Sequence, residues 1–363
     1  SMAVIKAFEC IRPDEKVADR VAALPYDVYN REEALKEVER EPLSFLAIDR
    51  AETQFDSSVD TYADCVYDKA RELLDSRIAD GTFITDTDKA YYVYELTMNG
   101  RTQTGIAACA SIDDYNNNII KKHENTRADK EQDRINHVDR CSAQTGPIFL
   151  AYRADEVIRN EVAKAKETKP LYSFTSPDGI RHQVYKISNA QSVENIEKAF
   201  AGIDDIYIAD GHHRAASAVK VGLKRRKENH GYDGMEEFNY FLSVLFPDDQ
   251  LMIMDYNRTV KDLNGLSEDE FIEKIKDNFE VTTLSEAKHP DKKGKVSMYL
   301  SGKWYMLTAK EELLNITDPV LSLDVSLLQN YLLEPVLGIK DPRTDERIDF
   351  IGGIRGLKEL EKR

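Results

Sequence analysis

The sequence has few cysteines, a deficit of positive charge and no long apolar run, and each shortage argues against a class of protein. Its four cysteines, Cys10, Cys65, Cys109 and Cys141, lie far apart without a CxxC pair, which predicts reduced thiols rather than a zinc knuckle or a disulfide framework. No window approaches the roughly 20 apolar residues of a membrane helix, so we expect no membrane partner. The N-terminal segment SMAVIKAFECIRP lacks the pattern of a secretion signal, and we expect a cytoplasmic protein.

The charge balance is acidic, with 66 Asp and Glu against 50 Lys and Arg and a formal net charge of −16. Because duplex binding draws most of its affinity from Lys and Arg at phosphates, this balance predicts no nucleic-acid partner. The basic residues at positions 220 and 224–227 would spread around a helix. A solvated helical face is therefore the favoured interpretation of that run, ahead of a DNA-binding stripe.

Helical and hairpin signals are interleaved along the 363 residues, a length at which a chain usually holds two or three domains. The absence of a strict βαβ rhythm predicts an α+β fold with mixed sheets and several hairpins. We expect an N-terminal α+β region over residues 3–120, a core over residues 121–260 and a C-terminal α+β region over residues 261–363.

Several segments carry clear signals for a single element. NREEALKEVERE, VDTYADCVYDKARELLDSRIADG and the capping-box segment LSEDEFIEKIKDNFE predict helices, and SFLAIDR predicts a buried strand. Hairpins are predicted at Asn99-Gly100, Asp178-Gly179 and Ser301-Gly302, and NYFLSVLFP and LMIMDYNRTV are predicted to pair around Asp248-Asp249.

The apolar segment IYIA ends in Asp210, Gly211, His212, His213 and Arg214 and runs into an alanine-rich helix signal. A strand that enters a helix through Asp-Gly is a recurrent anion site, because the helix N-terminus offers N–H groups and partial positive charge. Arg214 supplies a fork for phosphate oxygens, the two histidines donate further hydrogen bonds, and Asp210 could hold Mg²⁺ or orient a nucleophile. The alternatives are an exposed turn and a metal site through both histidines, which chelate poorly because adjacent helical residues project about 100° apart.

A second polar segment, HENTRADKEQDR, follows the first hairpin. Glu124 is a candidate general base in it, and Thr126 and Arg127 are candidate phosphate contacts. A charge-rich surface helix explains this segment equally well. Weaker signals are Tyr26 and Asp27 after a proline, Arg258 as an anion contact, and GGIRG at 352–356 as an anion nest.

The landmarks AALPYDV, SFLAIDR, HENTRADKEQDR with GPIF, and YIADGHHR occur here in the order of a large prokaryotic family long labelled as of unknown function. The chain resembles that family from about Ile5 to its C-terminal helix, and some members are ATP-dependent kinases of free L-serine. DGHHR is also similar to the phosphate-contacting motif of the ParB and sulfiredoxin-like fold, which the archaeal ADP-dependent serine kinases share.

The resemblance implies a ParB/sulfiredoxin-like core in which residues 210–214 bind the phosphates of ATP, with Mg²⁺ at Asp210. It also implies a carboxylate that accepts the proton of the serine hydroxyl. Glu124 is the first candidate for that base and Asp210 the second, while Asp27 stays open, and His213 is expected to take part in catalysis. At the position beside Arg258 where relatives tend to have His, this chain has Asn257.

The expected function is transfer of a phosphoryl group from ATP to the hydroxyl of free L-serine by a monomer or homodimer. Two alternatives use the same anion site. One is a ParB-like nucleotide-binding regulatory protein without a small acceptor, and the other is a phosphoester hydrolase with water as the acceptor.

Overall fold

The computed structural model describes residues 3–98, 100–122, 126, 128–250, 256–288, 290, 292–318, 321, 324–342 and 345–352. They fall into two compact units, one within residues 1–122 and 126–253 and the other within residues 254–363. Both units combine helices with sheets, which confirms the predicted α+β class with mixed sheets. Within the described ranges, no helix is long and apolar enough to cross a membrane.

The first unit is rich in β-structure. Its strands are β1 (Ile5–Lys6), β2 (Ile11–Pro13), β3 (Phe83–Thr85), β4 (Tyr91–Met98), β5 (Arg101–Ser111), β6 (Ile120–Lys121), β7 (Ile148–Tyr152), β8 (Tyr172–Thr175), β9 (Arg181–Ile187), β10 (Ile206–Asp210) and β11 (Tyr240–Pro247). Nine of them form one sheet in the order β6-β10-β7-β11-β5-β4-β9-β8, with β1 on β5. The β6–β10 and β7–β11 pairs are parallel and the other pairs are antiparallel.

Helices of varied length connect these strands. They are α1 (Ala18–Val21), α2 (Arg31–Arg40), α3 (Leu46–Asp49), α4 (Asp64–Ala79), α5 (Ile112–Asn116), α6 (Ala128–Cys141), α7 (Glu156–Lys166), α8 (Ala190–Ala201) and α9 (His212–Glu228), with 3₁₀ helices at Tyr26–Val28, Ala51–Gln54 and Glu237–Asn239. Strands from residues 3–120 and from residues 121–260 therefore pair within one sheet.

Two apolar clusters position the site in this unit. In the main core, sheet residues such as Ile148 and Ile208 pack with helices α7, α8 and α9, and the small residues Ala215 and Ala218 face this core from α9. A second cluster joins Ile48 of α3 to the apolar residues of α4.

The second unit has its own core. It contains β12 (Tyr256–Val260), β13 (Phe279–Leu284), β14 (Lys295–Leu300), β15 (Lys303–Ala309), β16 (Ile348–Gly352), α10 (Glu268–Ile275), α11 (Glu311–Leu314), α12 (Asp324–Leu328) and a π-helical turn at Gln329–Leu333. The sheet order β13-β15-β14 is antiparallel throughout, and β12 pairs with β16.

Most element predictions are confirmed. The three predicted hairpins are the β4–β5, β8–β9 and β14–β15 pairs. Capping boxes begin α2 at Asn30 and α10 at Ser267, α4 occupies the strongest helical segment, and β10 enters α9 through the predicted turn. All four cysteines are free in the structure.

Two element predictions are wrong. SFLAIDR forms α3 and ends at Arg50, the residue before the next 3₁₀ helix, rather than forming a strand, because a short apolar run does not distinguish a buried strand from a buried helix. The pairing predicted around Asp248-Asp249 is also wrong, because β11 lies between β5 and β7 and β12 pairs with β16, while residues 251–255 lie outside the described residues.

Candidate functional site

The predicted anion site lies where β10 ends and α9 begins. The ladder between β10 and β7 pairs Ile208 with Leu150 but Asp210 with Phe149, so Ala209 is an extra residue in β10. A bulge of this kind bends the strand and changes the direction in which the next side chains point. It comes immediately before Asp210, whose Oδ1 accepts the N–H of Gly211 at 2.8 Å.

Gly211 makes the turn from strand to helix. Its φ of +92° lies in the left-handed region, which a residue without Cβ adopts at the lowest cost. Its carbonyl oxygen accepts the N–H of Ala215 at 2.9 Å, the first hydrogen bond of the 17-residue helix α9. Glycine has no side chain to cap the first turn of a helix, so the motif leaves that task to other groups or to a ligand.

The motif is not enclosed by apolar packing. Asp210, Gly211, His213 and Arg214 keep partial solvent exposure, whereas His212 is buried with only 6 % of its surface accessible. Residues 210, 211, 213 and 214 therefore line an accessible corner, and His212 faces the interior of the unit.

Arg214 lies in a well-defined environment. Its Nη2 donates to Asp49 Oδ2 at 3.1 Å, and its Nη1 lies 3.5 Å from the Thr145 hydroxyl. Its Cζ lies 4.7 Å from the centre of the Tyr26 ring, within the range of cation–π attraction. Gly146 is packed against the same guanidinium group.

Asp49 connects Arg214 to a second buried arginine. Its Oδ1 accepts the Thr145 hydroxyl at 2.8 Å and lies 3.7 Å from Arg134 Nη1. Burial raises the pKa of the Asp49 carboxyl, but the charges of Arg214 and Arg134 and the hydrogen bond from Thr145 outweigh burial and hold the pKa below its usual value. Asp49 is therefore ionised at neutral pH.

His137 packs beside this ion pair as a neutral base. Its Nε2 donates to the Ile48 carbonyl oxygen at 2.9 Å, and its side chain is 3 % exposed. Burial, followed by the charge of Arg134, lowers the pKa of His137 to about 4. The imidazole is therefore uncharged at neutral pH.

A buried carboxylate, Glu131, faces the side of α9 that carries His213. Its side chain accepts the Thr126 hydroxyl and pairs with Lys220, and its carbonyl oxygen accepts the Ser217 hydroxyl at 3.1 Å. Burial raises the pKa of Glu131, but the bonds from Lys220 and Thr126 and the charge of His213 lower it overall. Glu131 thus links Thr126 to Ser217 and Lys220 of α9.

The remaining predicted site residues lie outside the described residues or on other elements. Glu124, Arg127 and residues 353–356 of GGIRG lie outside the described residues, as does the side chain of Asn257. Asp27 lies in the 3₁₀ helix beside Tyr26. Arg258 lies on β12 of the second unit, opposite Phe350.

A Mg²⁺ ion at this corner would need ligands from bound phosphates as well as from the protein. The described residues contain no group of three or more His, Cys, Asp or Glu side chains arranged to hold a metal ion. Mg²⁺ in phosphoryl-transfer sites commonly uses one or two carboxylates together with substrate phosphates, and Asp210 would supply one such carboxylate.

Asp49 and Glu131 were not predicted from the sequence as parts of the site. Both belong to quoted segments, SFLAIDR and HENTRADKEQDR, but neither was singled out. A signal existed for Asp49: a charged residue directly after an apolar run needs a partner when it is buried. The partner, Arg214, is 165 residues away in sequence.

Comparison with known protein families identifies the family of the chain. The family described as "Protein of unknown function (DUF1015)" matches residues 5–326. No curated protein and no solved structure shows significant similarity to the chain.

Proposed function

The chain belongs to the DUF1015 family, and from the geometry of its β10–α9 corner we propose that it transfers the γ-phosphoryl group of ATP to free L-serine. The products are O-phosphoserine and ADP. In this reaction the serine hydroxyl oxygen forms a bond to the γ-phosphorus, and the bond between that phosphorus and the oxygen that bridges it to the β-phosphorus breaks. The hydroxyl proton passes to a protein base.

The observation that carries the proposal is the corner itself. A bulged strand, a left-handed glycine and a long helix follow one another at Asp210 and Gly211, and the corner is accessible to solvent. Backbone N–H groups and the helix dipole at such a junction favour a phosphate group. The ParB/sulfiredoxin-like core belongs to this proposal and is supported by the same strand, turn and helix.

The side chains around the corner suit phosphoryl transfer. That reaction depends on positioning and charge neutralisation more than on covalent chemistry. Arg214 offers a fork for phosphate oxygens and His213 a further donor. Mg²⁺ bound by Asp210 and the phosphates would neutralise charge on the transferred group.

A carboxylate must accept the proton of serine. Glu124 remains our first assignment and Asp210 the second, with Asp27 as a further possibility. Glu131 serves a different purpose in this proposal, because its bonds to Thr126 and Lys220 keep it ionised opposite His213. It would stabilise a protonated His213.

The acceptor panel tests the function. Purified protein is incubated with ATP, Mg²⁺ and single free amino acids or polyols, and ADP is followed. ADP formation that requires L-serine supports the kinase. ADP formation without an acceptor favours the phosphoester hydrolase, and nucleotide binding without turnover favours the regulatory protein.

Two substitutions test the site. Asp210→Ala and His213→Ala are expected to abolish serine-dependent ADP formation while the circular dichroism spectrum stays unchanged. Asp204→Ala and His230→Ala are matched controls, because both residues are exposed and lie just outside β10 and α9. Full activity in Asp210→Ala and His213→Ala would remove the motif from the mechanism.

A further inference from the structure

The guanidinium group of Arg214 is held on several sides by residues that the proposed reaction does not use. Asp49 accepts an N–H from Nη2 at 3.1 Å, and the Thr145 hydroxyl accepts an N–H from Nη1 at 3.5 Å. Arginine has five N–H donors, so these contacts use two of them. The side chains of Arg214 and Asp49 are only 13 % and 9 % exposed, so water screens their attraction little.

Gly146 fixes the guanidinium by contact rather than by charge. A Cβ built on Gly146 would lie 2.6 Å from Cζ of Arg214, 2.7 Å from Nη1 and 2.8 Å from Nη2. These similar distances place the flat guanidinium directly against the backbone of residue 146. Any side chain at this position would occupy the space that Arg214 fills.

The partners of Arg214 are themselves held in place. Asp49 accepts the Thr145 hydroxyl at 2.8 Å, and the Tyr26 ring has Arg134 at 3.9 Å and Arg214 at 4.7 Å from its centre. Arg134 is anchored in turn by two hydrogen bonds to Asp133. Arg214 therefore has little freedom to change its orientation.

We propose that Asp49, Tyr26 and Gly146 are positioning residues that hold Arg214 in one orientation for the phosphates of a nucleotide. This inference rests on the proposed function and deepens it. A flexible arginine must be immobilised when it binds an anion, whereas Arg214 is immobilised beforehand, so less conformational entropy is lost when the ligand binds. The inference also explains why a glycine begins the GPIF segment.

Gly146→Ala is the sharpest test, because it displaces the guanidinium without removing a charge. We expect kcat/KM for ATP, measured with L-serine as the acceptor, to fall by about 10²-fold, the scale of an ångström-level misplacement. The KM for L-serine should stay unchanged, since Arg214 contacts the nucleotide. Asp49→Asn should have a similar effect.

Asp86→Asn is the matched control. Asp86 is as buried as Asp49, at 8 % exposure for each, and it pairs with Arg12 at 3.0 Å rather than with α9. This variant should lose thermal stability while its kcat/KM stays unchanged. A merely structural role for Asp49 would make the two Asp→Asn variants behave alike.

The Arg214→Gln background separates positioning from other effects. If Asp49 and Gly146 act through Arg214, Asp49→Asn and Gly146→Ala should lower kcat/KM by less than about 2-fold further in that background. Multiplicative losses there, or full activity in folded Gly146→Ala, would overturn the inference and leave the kinase proposal intact.

A wild-type protein that forms no ADP with any acceptor would overturn the proposed function instead. The positioning role is then tested by calorimetric binding of ATP with Mg²⁺. Weaker binding by Gly146→Ala than by the wild type supports the role. Equal binding by both proteins, or no binding by the wild type, overturns it.

Discussion

Gly211 shows how one residue can determine the geometry of the whole corner. Its φ of +92° costs an L-residue about 1–2 kcal/mol. We therefore expect Gly211→Ala to lower the free energy of unfolding by that amount and to weaken binding of ATP with Mg²⁺, as measured by urea titration and calorimetry. Gly202→Ala is the control, because Gly202 ends α8 at a φ of −89° and has room for a Cβ. Equal stability of the two variants would contradict the account.

The lowered pKa of His137 should make the free energy of unfolding depend on pH. The pKa of this imidazole is about 4 in the folded protein, against a value near 6.5 for an exposed histidine. Between these values the unfolded chain binds a proton that the folded protein does not, so stability falls as the pH falls through this window. We expect His137 to account for about 2 kcal/mol of the loss between pH 7 and pH 5.

His137→Gln tests this prediction, because an amide N–H can replace the Nε2 donor to Ile48. The difference in unfolding free energy between wild type and variant should change by that amount between the two pH values. A pH-independent difference would show that His137 is not buried as a neutral base.

At the residue scale, sequence patterns locate the DGHHR motif but not its partners. Asp210 to Arg214 are adjacent in the chain, so their clustering is visible in the sequence. Asp49, Gly146 and Arg214 meet only through the fold. No local pattern encodes contacts of that sequence separation.

Among the elements, helix α9 packs unusually closely at Gly222. A Cβ at this residue would collide with the carbonyl oxygen of Phe238 and lie 2.8 Å from Cδ1 of Ile112. We expect Gly222→Ala to lower the free energy of unfolding by about 1–3 kcal/mol, although alanine has the higher helix propensity. Lys227→Ala, on an exposed position of the same helix, should change it by less than about 0.5 kcal/mol. A stabilising effect of Gly222→Ala would contradict the packing.

Element prediction succeeded where a local signal decides the structure. Hairpin turns and capping boxes are such signals, and the three hairpins and the starts of α2 and α10 are confirmed. The strand predicted at SFLAIDR is instead helix α3, because four consecutive apolar residues are compatible with either a strand or a helix. The predicted pairing of β11 with the segment that follows it was wrong, because strand pairing depends on residues that are distant in sequence.

For the molecule as a whole, the acidic charge makes a prediction about partners. A net charge of −16 repels a polyanion, and the basic end of α9 is paired internally: Arg225 with Asp139 and Arg226 with Asp113. We expect no binding to duplex DNA in a gel-shift titration at 50 mM salt up to about 10 µM protein, since phosphate contacts supply non-specific affinity. A shift at lower protein concentration would favour the ParB-like regulatory alternative.

The boundary between the two units of the chain could not be predicted from length and composition. Length predicts more than one domain, but the boundary between units depends on which strands share a sheet. Strands β4 and β5 pair within the same sheet as β10 and β11, although a region boundary was expected between residues 120 and 121. The element types that surround the site were therefore easier to predict than their grouping.

The most direct measurement of the central claim is the product itself. Wild-type protein incubated with ATP, Mg²⁺ and free L-serine should produce O-phosphoserine, detected by mass spectrometry, in equal amount to ADP, and His213→Ala should produce none. ADP without O-phosphoserine, or O-phosphoserine formed equally by His213→Ala, would contradict the account.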